Sequence, residues 1–322
     1  MTRMLLAIAV GLAGCTSFED PTIVVDLRPL AMTAQPPEQL VTLDPSNPPS
    51  PTEILAQLVP TRVCALVVDP AFDRRVRYEM SVCTDAQGDR CGNPRVVVAS
   101  GVIEDPDTAQ PSPELCATID PDGNLLGVLL ALLESDPYGG LGGLDYNVVL
   151  RFGGEGEDPA LDQYASKHVR VAPRIPVART PNANPRLRRI QAEIDDSIED
   201  LSLAVGRCVD QADPLVVRRG QRVEIDPVET DDTREEYLTP TLDGRGAMFV
   251  ENHTYQWLAS AGSFTSSATG GPRDAFGNMP PLDTVWRAPP DIRAETDVDL
   301  YIVQRDERLG ATWYRTCVRV VP

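Results

Sequence analysis

The chain is short of the residues that most often carry chemistry. Its 322 residues include two histidines, His168 and His253, and one lysine, Lys167; every other base is arginine. A nucleophilic hydrolase needs a Ser or Cys held beside a base and an orienting acid. No Gly-x-Ser-x-Gly elbow accompanies either histidine, so His168 reads as a strand residue and His253 as ordinary polar surface. No Cys-x-x-Cys spacing occurs, which removes the usual zinc frameworks. The glycine-rich stretch 153–158 lacks the lysine of a phosphate loop. Bases are also outnumbered, 29 Lys+Arg against 48 Asp+Glu, for a net charge of −19. Such a surface repels phosphate backbones and anionic headgroups, so nucleic acid is excluded as a partner. With so many acids, chance carboxylate pairs are certain and do not identify a glycosidase. These absences point to a protein that is not an enzyme. Aromatic residues make up only 5% of the chain, and no apolar run approaches bilayer length.

What is present begins at the first residues. A short charged start (Met1, Thr2, Arg3) leads into an apolar run over 4–13 and then Leu12-Ala13-Gly14-Cys15. Small residues before a cysteine at the end of such a run match the lipobox of bacterial lipoprotein precursors. Residues 1–14 are expected to be a cleaved signal peptide. Residues 15–21 are then a tether, with diacylglyceryl lipid on Cys15 anchoring the protein to a membrane. Thr16 follows the cysteine; by resemblance to enterobacterial sorting, that favours the outer membrane, facing the periplasm or the cell surface.

Six further cysteines remain: Cys64, Cys83, Cys91, Cys116, Cys208 and Cys317. An even set in an exported chain implies three disulfides, with fifteen pairings open to sequence alone. Four lie in the first half and two in the second, so each half can close its own set. Cys83–Cys91 would close a short polar loop, and Cys64–Cys116 follows if the halves fold separately. Cys208–Cys317 would tie the first strand of the second half to its last.

Turn-bounded runs rich in Val, Ile and Tyr suggest strands over 22–30, 61–68, 76–82, 95–102, 115–119, 146–152 and 168–171. A proline-rich stretch, 173–186, divides them from a second series over 187–194, 207–211, 215–217, 222–225, 255–258, 284–287, 299–303 and 313–320. The expected fold is all-β: two immunoglobulin-like sandwiches in tandem, over 22–172 and 187–322. One short apolar helix, 124–134, interrupts the first. Its leucines should be covered by the sandwich and by the glycine loop 138–144, with Leu129 and Leu133 facing the core. Trp257, Trp286 and Trp313 are expected in the core. The turn 305–310 reads as a hairpin braced by Arg305 and Asp306, with Gly310 available for positive φ. No cofactor is expected. Close-set oxygens at Asp120 and Asp122, and at Glu155, Glu157 and Asp158, are weak calcium candidates, because neither group carries a full EF-hand loop.

Several short pieces of this sequence carry a resemblance to a known family. They are Leu30-Ala31-Met32 with Pro36-Pro37-Glu38, the helix leading into Asp136-Pro137-Tyr138-Gly139-Gly140, and Asn184-Pro185. Trp257 with Gly262-Ser263-Phe264, Trp286-Arg287-Ala288-Pro289, and the run 303–310 ending in Glu307-Arg308-Leu309-Gly310 complete the set. Together they resemble the cell-surface lipoproteins with tandem immunoglobulin-like domains found in myxobacteria; the resemblance implies a surface location and this fold, and brings no mechanism. The function expected is therefore a lipid-anchored, non-enzymatic binding or adhesion module for an unknown protein or glycan partner. The alternatives are an accessory subunit of an outer-membrane assembly, docked through the apolar helix, and a glycan-acting enzyme.

Overall fold

A computed structural model describes residues 20–322 apart from 45, 48, 71–73, 86–89, 104–113, 205–207, 209–210, 231 and 242–245. Cys15 and the leader lie outside the described residues. The first domain contains β1 (Arg28–Gln35), β2 (Glu38–Val41), β3 (Thr61–Val68), β4 (Val76–Asp85), β5 (Cys91–Ile103), β6 (Glu114–Ile119), β7 (Leu144–Gly154) and β8 (Gln163–Pro173). Two sheets, β1-β3-β6 and β2-β8-β7-β4-β5, face each other. The chain crosses between them at Pro36-Pro37, where proline can donate nothing to a ladder. β2 then pairs parallel to β8. Alternation packs Val63, Ala65 and Val67 of β3 into one core with Tyr146, Val148, Leu150 and Phe152 of β7.

The second domain repeats the plan with β9 (Arg189–Ile194), β10 (Ser197–Asp200), β11 (Leu215–Arg218), β12 (Arg222–Val228), β13 (Glu236–Pro240), β14 (Gly246–Val250) and β15 (Thr254–Ala259). It ends with β16 (Ser263–Phe264), β17 (Ala268–Gly270), β18 (Thr284–Arg287), β19 (Thr296–Arg305) and β20 (Ala311–Val321). The sheets are β10-β9-β12-β18-β16 and β11-β20-β19-β15-β17, and β11 pairs parallel to β20 as β2 does to β8. Both domains are thus immunoglobulin-like sandwiches. β13 and β14 form a separate two-stranded hairpin between β12 and β15.

Three disulfides join Cys64 to Cys116, Cys83 to Cys91 and Cys208 to Cys317, with Cα separations of 4.0, 5.5 and 5.4 Å. The first lies directly across the β3–β6 ladder. Cys208 is not on the first strand of its domain. It precedes β11, so the bridge reinforces the parallel β11–β20 pair from outside; Gln211 is likewise not in a strand.

A short helix, α1 (Pro51–Leu55), precedes β3; the longer α2 (Gly123–Ser135) is capped by Asp122, whose carboxylate accepts from the N–H groups of Asn124 and Leu125. It packs on β4, β5 and β7 through Leu125, Val128 and Leu129. The expected coverage of its other side is overturned: Leu130 and Leu133 are 40% and 39% exposed, and Tyr138 and Leu141 of the following loop more so. One sandwich can cover only one face of a helix that turns 100° per residue.

The strand expected at 22–30 also divides. β1 begins only at Arg28, while Thr22 and Val24 hydrogen-bond to Ala259 of the second domain. Val24, Leu30, Ala31, Leu66 and Val68 then form an apolar seam with Leu258, Tyr301 and Val303. Trp257 and Trp286 are fully buried in the second core. Trp313 instead packs, half-buried, along the seam, because its position on β20 points away from the sandwich.

Candidate functional site

The richest polar constellation lies where the two domains and the hairpin meet. Its hub is Glu38, the first residue of β2, whose side chain is 3% exposed. Proline on its N-terminal side fixes where β2 starts, and that start delivers the carboxylate to the joint. Glu38 accepts from Arg179 Nη2 at 2.5 Å, from the Asn182 backbone at 2.8 Å and from Arg308 Nη2 at 2.9 Å. It therefore ties domain 1, the linker and domain 2 through one carboxylate. Arg308 extends the network with Nη1 3.3 Å from both Glu235 and Glu251, at the base of the hairpin. Two further bonds cross the joint: Lys167 donates to the Leu309 carbonyl, and Thr33 Oγ1 to the Ala311 carbonyl.

Arg308 is held by its turn. Asp306 Oδ1 accepts from the Arg308 and Gly310 backbones, both at 2.7 Å, so Asp306 does brace the turn. Arg305 does not take part, since it hydrogen-bonds to Gln256 on the neighbouring strand. Leu309, not Gly310, takes the positive φ, at 78°. A bulky residue there is strained, and the surrounding bonds hold it. Gly310 is required for another reason: a Cβ would overlap the Asp306 carboxylate and crowd the Ala183 carbonyl.

His253 is fully buried, which corrects the surface assignment. Its Nδ1 lies 2.8 Å from Glu229 and its Nε2 3.8 Å from Glu251. Tyr255 donates to the same Glu229 oxygen at 2.5 Å, and Arg234 Nε to the other at 2.7 Å. Burial pushes the imidazole down, but the hydrogen bond to Glu229 and the Glu251 carboxylate just beyond hydrogen-bond reach of Nε2 outweigh it and leave the His253 pKa raised. Glu229 is held at about 2, because these donors overcome its own burial. His168 is partly buried on β8, opposite Asn147 of β7.

From this base the hairpin projects. Arg308 stands 4.6 Å over the Tyr237 ring, and Tyr237 stacks on Phe249 directly across the ladder, with centroids 5.6 Å apart. The Tyr237 hydroxyl donates to Glu307 at 2.7 Å, and Asn252 holds the other Glu307 oxygen. The column runs from the buried carboxylates outward to Phe249, and β14 exposes Met248, Phe249 and Val250 in succession, at 62%, 47% and 53%. Tyr237, Met248, Phe249 and Val250 were not singled out from sequence. Asp243-Gly244 between two apolar runs was the available signal; those two residues lie outside the described set.

The calcium candidates do not converge. Asp122 caps α2, Asp120 stands exposed beside it, and Asp158 caps a short 3₁₀ turn. Glu155 pairs with Arg75 at 2.5 Å, and Glu157 accepts from the Gly154 backbone and faces Arg74. Among the described residues, the one grouping of three His, Cys, Asp or Glu ligand atoms is Cys208, Asp299 and Cys317. Both sulfurs there belong to the disulfide, and Arg315 holds Asp299 at 2.5 Å.

No protein-family model matches the sequence, and no curated protein matches it. Among solved structures, the chain is similar to red sea bream transglutaminase (9% identity, TM-score 0.26), Escherichia coli alpha-2-macroglobulin (10%, 0.21) and latent PorU of Porphyromonas gingivalis (14%, 0.20). Each alignment covers 92% of this chain but only 31%, 17% and 24% of the respective partner. Likeness this remote carries no functional argument.

Proposed function

We infer that this is an outer-membrane lipoprotein, anchored through lipid on Cys15 and similar to the tandem immunoglobulin-like surface lipoproteins of myxobacteria. It works as a non-enzymatic binding or adhesion module. The contact surface is the β13–β14 hairpin, and its partner there is a protein. The observation that carries this reading is the exposed run Met248-Phe249-Val250 on a hairpin whose base is fixed by Arg308, Glu235 and Glu251. Exposed apolar residues in sequence mark interfaces, and a fixed base lowers the ordering cost of binding. Tyr237 stacks on Phe249 and under Arg308, so the two rings do not lie side by side as a sugar platform would need.

The test is proximity labelling in intact envelopes with the native chain and with Phe249→Ser. The hairpin reading expects a defined set of neighbours that disappears with Phe249→Ser while the protein stays membrane-bound. Identical neighbour sets would remove the hairpin from the function. A second reading has its own observation. Leu130, Leu133, Tyr138 and Leu141 form an exposed apolar strip at α2 and its loop, which suits an accessory subunit docking by its helix. Loss of neighbours with Leu133→Asp, and not with Phe249→Ser, would favour it.

A further inference from the structure

We propose that the outer face of the β2-β8-β7-β4-β5 sheet carries a second binding site, and that it takes a saccharide bearing carboxylate groups. The site is on domain 1 and does not depend on the hairpin reading. A shallow depression of about 200 Å³ is lined there by Arg90, Arg95, Arg151, Ser81, Tyr164 and Val149. Three guanidinium groups face one lining carboxylate, Glu79, in a protein whose net charge is −19. Against the net negative charge of the chain, a local excess of arginine favours anions.

The three arginines are held differently. Arg95 pairs with Glu79 and donates Nε to Ser81 at 3.1 Å. Arg151 donates Nε at 2.6 Å to Asp162, whose side chain is almost fully buried and which also receives Arg77. Their planes are therefore oriented before any ligand arrives. Arg90 is exposed, as is Arg95. Arg90 sits beside Cys91, fixed by the bridge to Cys83, and lies 5.4 Å over the Tyr164 ring. Among the described residues, no carboxylate pairs with it. A guanidinium fork without a carboxylate, beside two pre-oriented forks, matches a planar carboxylate bidentately. Tyr164 offers apolar contact for the C–H face of a sugar ring, over a floor made by the buried Val149 and Ser81. The depression is smaller than the roughly 300–1,000 Å³ of enclosed small-molecule pockets. It suits one or two units of an open polymer better than a small metabolite.

Titration calorimetry of the complete mature chain with a galacturonic acid trimer tests this, with the neutral galactose trimer and a short poly-glutamate peptide as comparisons. The acidic trimer is expected to bind and to weaken as salt rises, and the other two to show no binding. Arg90→Gln and Arg95→Gln should each weaken it at least about tenfold, the scale of one lost charge-assisted fork. Arg90→Lys should restore only part, because the charge returns without the fork. Phe249→Ala should change nothing. Unaltered thermal melts would show that each variant is folded. Equal binding of the neutral trimer, equal binding of the peptide, or affinity indifferent to Arg90→Gln would each overturn the assignment.

Discussion

At the scale of single residues, the joint depends on groups that cannot be exchanged one at a time. Gly310 is an example of packing, not of backbone freedom. Gly310→Ala should displace the Asp306 carboxylate that braces the Arg308 and Gly310 amides. The cost of such overpacking is about 1–3 kcal/mol, read as a shift in urea midpoint at unchanged slope. His253 supplies the pH dependence. Its folded pKa is raised above the ordinary 6.5, so its contribution to stability is complete below pH 6.5 and is lost as pH rises through the folded value. Glu229 acts at the other end. Its folded pKa of about 2 lies below the ordinary 4.5, so its contribution is present above pH 4.5 and disappears as pH falls toward 2. Melting temperature should therefore fall as pH is raised beyond 6.5, and His253→Gln should remove that fall. A native profile flat from pH 6 to 9 would contradict the geometry assigned to His253 and its two glutamates.

At the scale of elements, α2 separates what a sequence states from what it leaves open. Its limits were legible because Asp122 and Gly123 begin it and Pro137 follows its end. The facing of its leucines was not, since a helix apolar nearly all round has no pattern to orient it. Leu129→Asp, which puts a charge into the core, should cost at least about 3 kcal/mol and unfold domain 1 at moderate temperature. Leu133→Asp should stay within about 0.5 kcal/mol of the native chain in the same thermal melt, because its site is solvated. Strands with β-branched runs, such as β3, were readable to the residue. The segment 22–30 misled because it satisfies a strand pattern while bonding to a different domain, and pattern carries no information on the partner. Glu38, Arg179 and Arg308 were unreadable as a site for the same reason. They stand 270 residues apart at the extremes, and only the fold brings them together. Three of the short pieces that carried the resemblance, Pro36-Pro37-Glu38, Asn184-Pro185 and the run 303–310 with Arg308, are parts of that one joint.

At the scale of the whole molecule, the joint decides whether two sandwiches behave as two bodies or as one. Inter-domain contacts in a chain are usually polar and loosely held, and relative motion is the default. Here an apolar seam of eight buried side chains lies beside a set of buried charges, and the segment at Thr22–Val24 is hydrogen-bonded to β15. The charges matter asymmetrically. A buried ion pair adds little net stability when complete, but removing one partner leaves the others desolvated and unpaired, at about 3–5 kcal/mol. Glu38 receives both Arg179 and Arg308, so Glu38→Ala takes the carboxylate from Arg179 and leaves Arg308 with Glu235 and Glu251 alone. The Glu38 hydrogen-bond partners Arg179, Asn182 and Arg308 lie outside both apolar cores, so each sandwich should survive the change. The native chain should then unfold in calorimetry as a single transition in which the domains melt together. Glu38→Ala should split that transition into two, the lower one appearing first in whichever sandwich relied more on its neighbour. A native chain already showing two independent transitions, or a Glu38→Ala chain still melting as one at the native temperature, would mean that the joint does not couple the domains. The hairpin would then ride on a mobile arm, not on a fixed support.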